Sequence, residues 1–194
     1  MLGVGGALDE QHGPQASVRF VAFIRNVMVG RGGLSADALR RMTAEAGGRG
    51  PRSHLATGNL TFTASADSVE EIRLGLERSI ESVLGRAEDV FVRSVASLAA
   101  AVRADPFAEM MAADVYERCV TFLPTDTPLT LSLPIQTARG DAVLFAWQDD
   151  EVLSVTRLVG GRPGQPGKYL EHNIGIRVTT RNWNTVERMV RLES

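Results

Sequence analysis

What most constrains this chain is the order in which two hydrophobic periods take turns along its first half. Val18, Phe20, Ala22 and Ile24 alternate with Arg19, Val21, Phe23 and Arg25, the two-residue period of a strand. The turn Gly30-Arg31-Gly32-Gly33 leads to Ser35, a predicted N-cap, with Asp37 placed to complement the positive helix end and Leu34 and Leu39 spaced as a hydrophobic staple. That helix is expected to run to about Ala46 and to stop at Gly47-Gly48. Short extended pieces at 54–56 and 60–63 flank the turn residues Thr57-Gly58-Asn59 and read as a hairpin. Ser68 and Glu71 have capping-box spacing, after which Val69, Ile72, Leu76, Ile80 and Val83 recur on one helical face. Residues 89–93 alternate again, and Val95, Leu98 and Val102 mark a helix that Pro106 halts near Asp105.

The resulting β-α-β-β-α-β order is the ferredoxin-like plan, in which two helices cover one face of a four-stranded antiparallel sheet. Alternation puts Val18, Phe20, Ala22, Ile24, Leu60, Phe62, Val90 and Val92 under the helices, and Val21, Phe23, Phe91, Arg19, Arg25 and Arg93 on the other face. In the second half a strand is expected at 118–123, then a stretch broken by Pro124, Pro128 and Pro134. A hairpin follows, 142–147 with 152–159, closed by Gln148-Asp149-Asp150-Glu151. Next come a Gly/Pro loop at 160–167, a short helix near 169–174 and an extended piece at 176–179. A terminal helix presents Trp183, Val186, Met189 and Val190 on one face, with Thr180 as its cap. The expected fold is therefore α+β: two ferredoxin-like (βαββαβ) halves with antiparallel sheets, at 18–106 and 107–194, the second degenerate and ending in the C-terminal helix. Residues 1–17 are expected to form a tail.

Composition narrows the function classes. Hydrophobic residues make up 44% and charged residues 23%, which argues against disorder across the 194 residues. A net charge of -2 supplies no global attraction to nucleic acid or membrane. Twenty of the 21 basic residues are Arg, the exception being Lys168. The lone Cys119 rules out an internal disulfide and a thiolate zinc cluster, so a reducing, cytoplasmic setting is the simplest expectation. Residues 1–17 lack the charged start and apolar run of a secretory signal, and no later apolar run approaches the roughly 18–20 residues that span a bilayer.

Three stretches together resemble the bacterial family known as domain of unknown function 1697. They are Phe20-Val21-Ala22-Phe23-Ile24-Arg25-Asn26-Val27-Met28-Val29-Gly30, then Thr57-Gly58-Asn59-Leu60-Thr61-Phe62, then Thr179-Thr180-Arg181-Asn182-Trp183-Asn184-Thr185-Val186. The resemblance extends over about residues 19–192 and implies two ferredoxin-like subdomains without naming a reaction. The family's first motif usually reads Arg-Gly-Ile-Asn-Val-Gly, whereas this chain has Asn26 in place of the second residue. Where the family commonly has Gln-Ser-Gly-Asn, this chain has Ala56-Thr57-Gly58-Asn59.

Arg25, Asn26, Arg31, Asn59, Arg181 and Asn182 are the candidate ligand-binding residues. Guanidinium forks and carboxamides suit a small anionic or nucleotide-like ligand, and two of their segments precede helix N-termini. Structural work suits the same residues: Asn59 in its turn, Asn182 and Thr180 as caps, Trp183 in the core. The alternatives are an RNA- or protein-interaction module on the sheet face where Phe23 and Phe91 interleave with Arg19, Arg25 and Arg93, and, third, an uncharacterised enzyme. A covering second half would account for those aromatics without any ligand. Gly161-Arg162-Pro163-Gly164-Gln165-Pro166-Gly167-Lys168 fails as a P-loop: its spacing is wrong, Tyr169 replaces the magnesium-binding hydroxyl, and two prolines remove backbone donors. From Arg157 to Arg191, seven basic residues face two acidic ones, an electrostatic lead that a solvated face also explains. His12, His54 and His172 have no metal-binding companions nearby in sequence. Asp149-Asp150-Glu151 reads as a turn and Cys119 as a buried, inert thiol. No catalytic constellation, metal site, cofactor or oligomeric state can be named from the residues.

Overall fold

A computed structural model describes residues 16–110, 113–128 and 130–193. The expected N-terminal tail and His12 lie almost wholly outside them. The chain forms β1 (Ser17–Ile24), α1 (Ala36–Glu45), β2 (Arg49–His54), β3 (Asn59–Ser65), α2 (Val69–Leu84), β4 (Val90–Ser94) and α3 (Val95–Arg103). It continues through β5 (Glu117–Phe122), β6 (Ile135–Gln136), β7 (Ala142–Gln148), β8 (Glu151–Thr156), β9 (Leu158–Val159), β10 (Arg162–Pro163), α4 (Pro166–Ile174), β11 (Thr179–Asn182) and α5 (Trp183–Glu193).

The fold is mixed α+β with antiparallel sheets. The first sheet has the order β2-β3-β1-β4, the arrangement the β-α-β-β-α-β element order calls for. The second runs β11-β5-β8-β7-β6, so β11-β5-β8-β7 follows the same positional scheme. The proline-broken stretch stands where the first crossover helix would be, and β6 is added at the edge. The two-residue strands β9 and β10 pair separately as a small hairpin.

Alternation along β1 decides the layering. Phe20, Ala22, Ile24, Leu60, Phe62 and Val90 pack under α1 and α2 with Leu39, Met42, Ile72, Leu76 and Ile80. Val21, Phe23 and Phe91, on the opposite face, meet Val120, Phe122, Leu153 and Val155 of the second sheet; α3 and α5 flank this shared core through Leu98, Trp183, Val186 and Met189. Phe23 stacks on Phe122 with ring centroids 4.3 Å apart. The far face of the second sheet is covered by α4, where Leu170 joins Leu144, Val152 and Val178. No helix among the described residues is long and apolar enough to cross a membrane.

Local chemistry sets the element ends. Ser35 caps α1 by accepting a hydrogen bond from the Ala38 amide at 3.0 Å, and the staple residues Leu34 and Leu39 are both buried. The capping box expected at Ser68 does not form. The Ser68 hydroxyl instead donates to the Ser65 carbonyl at 3.1 Å, because a short 3-10 turn precedes α2. Val83, expected on the buried face, is 41% exposed at the end of that helix. The first hairpin strand, expected at 54–56, instead spans Arg49–His54, with Leu55 and Ala56 already in the turn; a register irregularity between Arg49 and Arg52 accommodates Gly50 and Pro51. Thr180 is a strand residue, exchanging a hydroxyl hydrogen bond with Thr121, and Asn182 caps α5 in its place by accepting from the Asn184 amide at 3.0 Å.

Candidate functional site

Folding sorts four of the six candidate residues into two neighbouring groups, Asn59 with Arg181 and Arg25 with Asn26, and spends their polar groups on protein partners. β1 ends at Ile24, whose amide donates to the Gly58 carbonyl at 2.8 Å and so binds the first motif to the second. Asn26 sits at φ 50, a left-handed conformation that Asn tolerates better than most side chains; the family's usual glycine would adopt it without cost. Gly58, at φ 68, is pressed so close to the first loop that a Cβ there would lie 2.3 Å from Val27 Cγ2. Asn59 is fully buried, its amide nitrogen donating to the Thr57 hydroxyl at 3.1 Å and to the His54 carbonyl at 3.4 Å.

Arg181 closes this assembly from the second sheet. Its Nε donates to Asn59 Oδ1 at 2.8 Å, and one terminal nitrogen donates to the Thr179 hydroxyl at 2.7 Å and the Thr180 carbonyl at 3.0 Å. The other terminal nitrogen donates to the carbonyls of Ile24 at 2.8 Å and Thr57 at 3.0 Å. These five bonds use all five N–H donors of a guanidinium. The group also lies 5.6 Å from the centre of the Phe23 ring. Burial lowers its pKa to about 10, which leaves it cationic at neutral pH.

Arg25 belongs to a neighbouring ion-pair cluster. It reaches Glu171 of α4 at 2.8 Å and Glu88 at 3.5 Å, while Asn26 donates to Glu88 at 3.0 Å, Arg86 also pairs with Glu88, and Arg177 pairs with Asp89 at 2.9 Å. Three guanidiniums thus face three carboxylates, leaving no surplus charge for an anion. Arg31 stands apart, exposed at the loop tip, with no side-chain hydrogen bond or ion pair among the described residues. Asn182 serves the α5 cap.

The sheet-face alternative requires correction. Phe23 is 0% and Phe91 4% exposed, covered by the second sheet, so no base could stack on them. Arg93 is tied to Glu151 at 3.1 Å and to the Leu123 carbonyl at 2.8 Å, and Arg19 to Glu193 at 2.6 Å. Glu193, at the end of α5, also accepts from the Thr61 hydroxyl at 2.8 Å and lies 3.3 Å from His54 Nε2. Burial pushes the Glu193 carboxyl upward, but the bonds from Arg19 and Thr61 outweigh it and hold the group below its ordinary value. Burial likewise lowers the His54 pKa, against the raising effect of Glu193. Cys119 is buried, and its thiol is pushed up to about 12 by burial and by nearby Glu117, far from a thiolate at neutral pH.

A concave site lies elsewhere. A cleft of about 290 Å³ opens between the segment following β6, carrying Thr137, Arg139 and Asp141, and the β10-to-α4 segment, carrying Arg162, Gln165 and Tyr169. Gly164 allows this closure: a Cβ there would fall 2.2 Å from the Asp141 carbonyl oxygen. Gly167 similarly lets α4 rest on β11, since its Cβ would fall 2.4 Å from Thr180 Oγ1. Asp141 is 6% exposed; it accepts from the Thr137 hydroxyl at 2.7 Å and pairs with Arg139 at 3.3 Å. Arg162 is exposed, with no side-chain partner among the described residues. A larger groove of about 590 Å³ runs between α1 and α2, where Glu45 and Glu71 face Arg78, a poor setting for an anion. Neither opening is lined by any of the six motif residues. The sequence pointed to Arg162 only through the basic stretch and the Gly/Pro segment; Thr137, Arg139 and Asp141 carried no local pattern.

No match was found among curated proteins. Among solved structures, a conserved bacterial protein from Streptococcus pneumoniae, SP0830, is similar over 91% of this chain and 98% of its own, with a TM-score of 0.64 and 18% identity, a likeness of fold. A family match to "Protein of unknown function (DUF1697)" spans residues 18–152, taking in the first two motifs and ending before the third. The chain belongs to that family.

Proposed function

We propose that this protein binds a small anionic or nucleotide-like ligand, and that the ligand sits in the cleft between the segment after β6 and the start of α4. The observation that carries this reading is the Arg162 guanidinium, a cation without a side-chain partner among the described residues, at the edge of a concave site that also holds Arg139, Gln165 and Tyr169. The volume, about 290 Å³, is near the lower end of small-molecule pockets, roughly 300 Å³. In this reading Arg25, Asn26, Asn59 and Arg181 act on the ligand at one remove. Arg25 holds α4 through Glu171, and Arg181 holds β11, on which α4 rests. Arg31 is the motif residue still free to meet a ligand directly, which makes it the natural control.

A thermal-shift screen of nucleotides, phosphosugars and carboxylates tests this. A ligand at 100 times its Kd adds about 2.7 kcal/mol, roughly 5–10 °C in Tm for a chain of this size. Protection is expected in wild type and in Arg31→Ala, and is expected to be lost in Arg162→Ala. Protection that survives Arg162→Ala but vanishes in Arg31→Ala would move the ligand to the motif loops and overturn the assignment.

A further inference from the structure

Resting on that reading of the cleft, we infer that Asp141 makes it selective for anions that also carry a hydroxyl or ammonium group, hydroxy acids and amino acids, over bare anions of the same size. Asp141 is the one carboxylate among the cleft-lining residues. Its Oδ1 accepts the Thr137 hydroxyl at 2.7 Å, whereas Oδ2 lies 3.3 Å from an Arg139 terminal nitrogen as an ion pair without a hydrogen bond. A carboxylate oxygen has two acceptor positions, so Oδ2 keeps capacity that a ligand donor can fill. The backbone holds the group in place: the Asp141 carbonyl accepts the Arg157 amide at 2.8 Å, and Gly164 passes against that same carbonyl.

Charge makes the same selection. Arg139 is partly neutralised by Asp141, so Arg162 supplies the uncompensated attraction. A bare anion entering beside Asp141 meets a like charge at short range, and nothing on the ligand answers the carboxylate. A hydroxy acid or amino acid places its anionic end toward Arg162 and its O–H or N–H toward Asp141 Oδ2, turning the unfavourable contact into a charge-assisted hydrogen bond. Tyr169 and Gln165, from the start of α4, add neutral hydrogen-bonding groups around this pair.

Succinate, malate and aspartate share one four-carbon skeleton, and malate adds only a hydroxyl to succinate at constant charge. Their affinities are to be measured by titrating the backbone amide resonances of the full chain, following Arg139, Gly140 and Tyr169. Malate and aspartate are expected to bind wild type roughly tenfold or more tightly than succinate, the fold-change of one charge-assisted hydrogen bond. In Asp141→Asn the malate-to-succinate ratio is expected to fall to within about threefold, with succinate held at least as well as before. The wild-type ranking needs no variant, so a failure of malate to outbind succinate overturns the role of Asp141 even if Asp141→Asn fails to fold. Succinate binding as tightly as malate, or a ratio that persists in Asp141→Asn, overturns the role of Asp141 while leaving the anion site intact. Succinate affinity unchanged in Arg162→Ala, or no cleft resonance moving for any of the three, overturns the anion site and the selectivity with it.

Discussion

Replacing Arg181 with Ala removes five hydrogen bonds at once, three of which cross from β11 to the Asn59 amide and to the carbonyls of Ile24 and Thr57. The Asn59 amide and the Ile24 carbonyl are left partly buried in the junction of the two motifs, whereas the Thr57 carbonyl lies at the exposed edge, where water can replace the lost donor. At about 1–1.5 kcal/mol per bond, the crossing contacts alone come to roughly 3–5 kcal/mol, the range also found when one partner of a buried charged pair is deleted. Against a total stability of about 5–15 kcal/mol for an ordinary domain, that loss is a large fraction. Urea denaturation followed by circular dichroism measures it directly: with a slope near 2 kcal/mol/M, the midpoint is expected to fall by about 2 M. Arg181→Lys should recover only part of the loss, because a single ammonium has three donors and cannot span Asn59, Ile24 and Thr57 as the planar fork does. Arg181→Met should resemble Ala to within about 1 kcal/mol, since the hydrogen bonds and not the stem's packing dominate. An Arg181→Ala protein within about 1 kcal/mol of wild type, at unchanged slope, would refute the view that this guanidinium is spent on holding the fold.

Two further outcomes follow from the same junction and from the face beside it. Gly58→Ala combines a left-handed backbone with a Cβ 2.3 Å from Val27 Cγ2, and is expected to cost about 2 kcal/mol or more by denaturant midpoint; Val27→Ala in the same chain should restore part of it, and no restoration would refute the steric account. His54 has a folded pKa below its ordinary 6.5, so the unfolded chain takes up the proton first and this contribution to stability is lost as pH falls below about 6.5. Glu193, also lowered, adds a second loss only as pH drops below its ordinary 4.5. The urea midpoint of wild type should therefore fall between pH 7.5 and 5.5 more steeply than that of His54→Gln, and parallel slopes would remove His54 from the account.

The first sheet was readable because its signals were local and repeated. Alternation along residues 18–25 assigned both faces of β1 correctly, and the spacing of Ile72, Leu76 and Ile80 marked the buried side of α2. Boundaries failed where two local signals competed. Ser68 had the spacing of a capping box but spends its hydroxyl on Ser65, and Thr180 had the chemistry of a cap but is held in a strand by Thr121. The candidate residues were legible as polar groups with structural work available to them. Which groups their donors would meet was not, because the partners of Arg181 at Ile24, Thr57 and Asn59 lie 122 to 157 positions away. The cleft was less visible still, since Thr137, Arg139 and Asp141 sit between short strands with no periodicity, and only the close approach of Gly164 brings Arg162 beside them.

The stacked Phe23 and Phe122 rings carry a practical lesson for anyone dissecting the chain. Each sheet lends the other its waterproofing, so a fragment cut between α3 and β5 would expose an aromatic wall on both pieces. Such halves should clump when made alone and recover when produced together, and mapping experiments on this family are better served by point substitutions than by truncation.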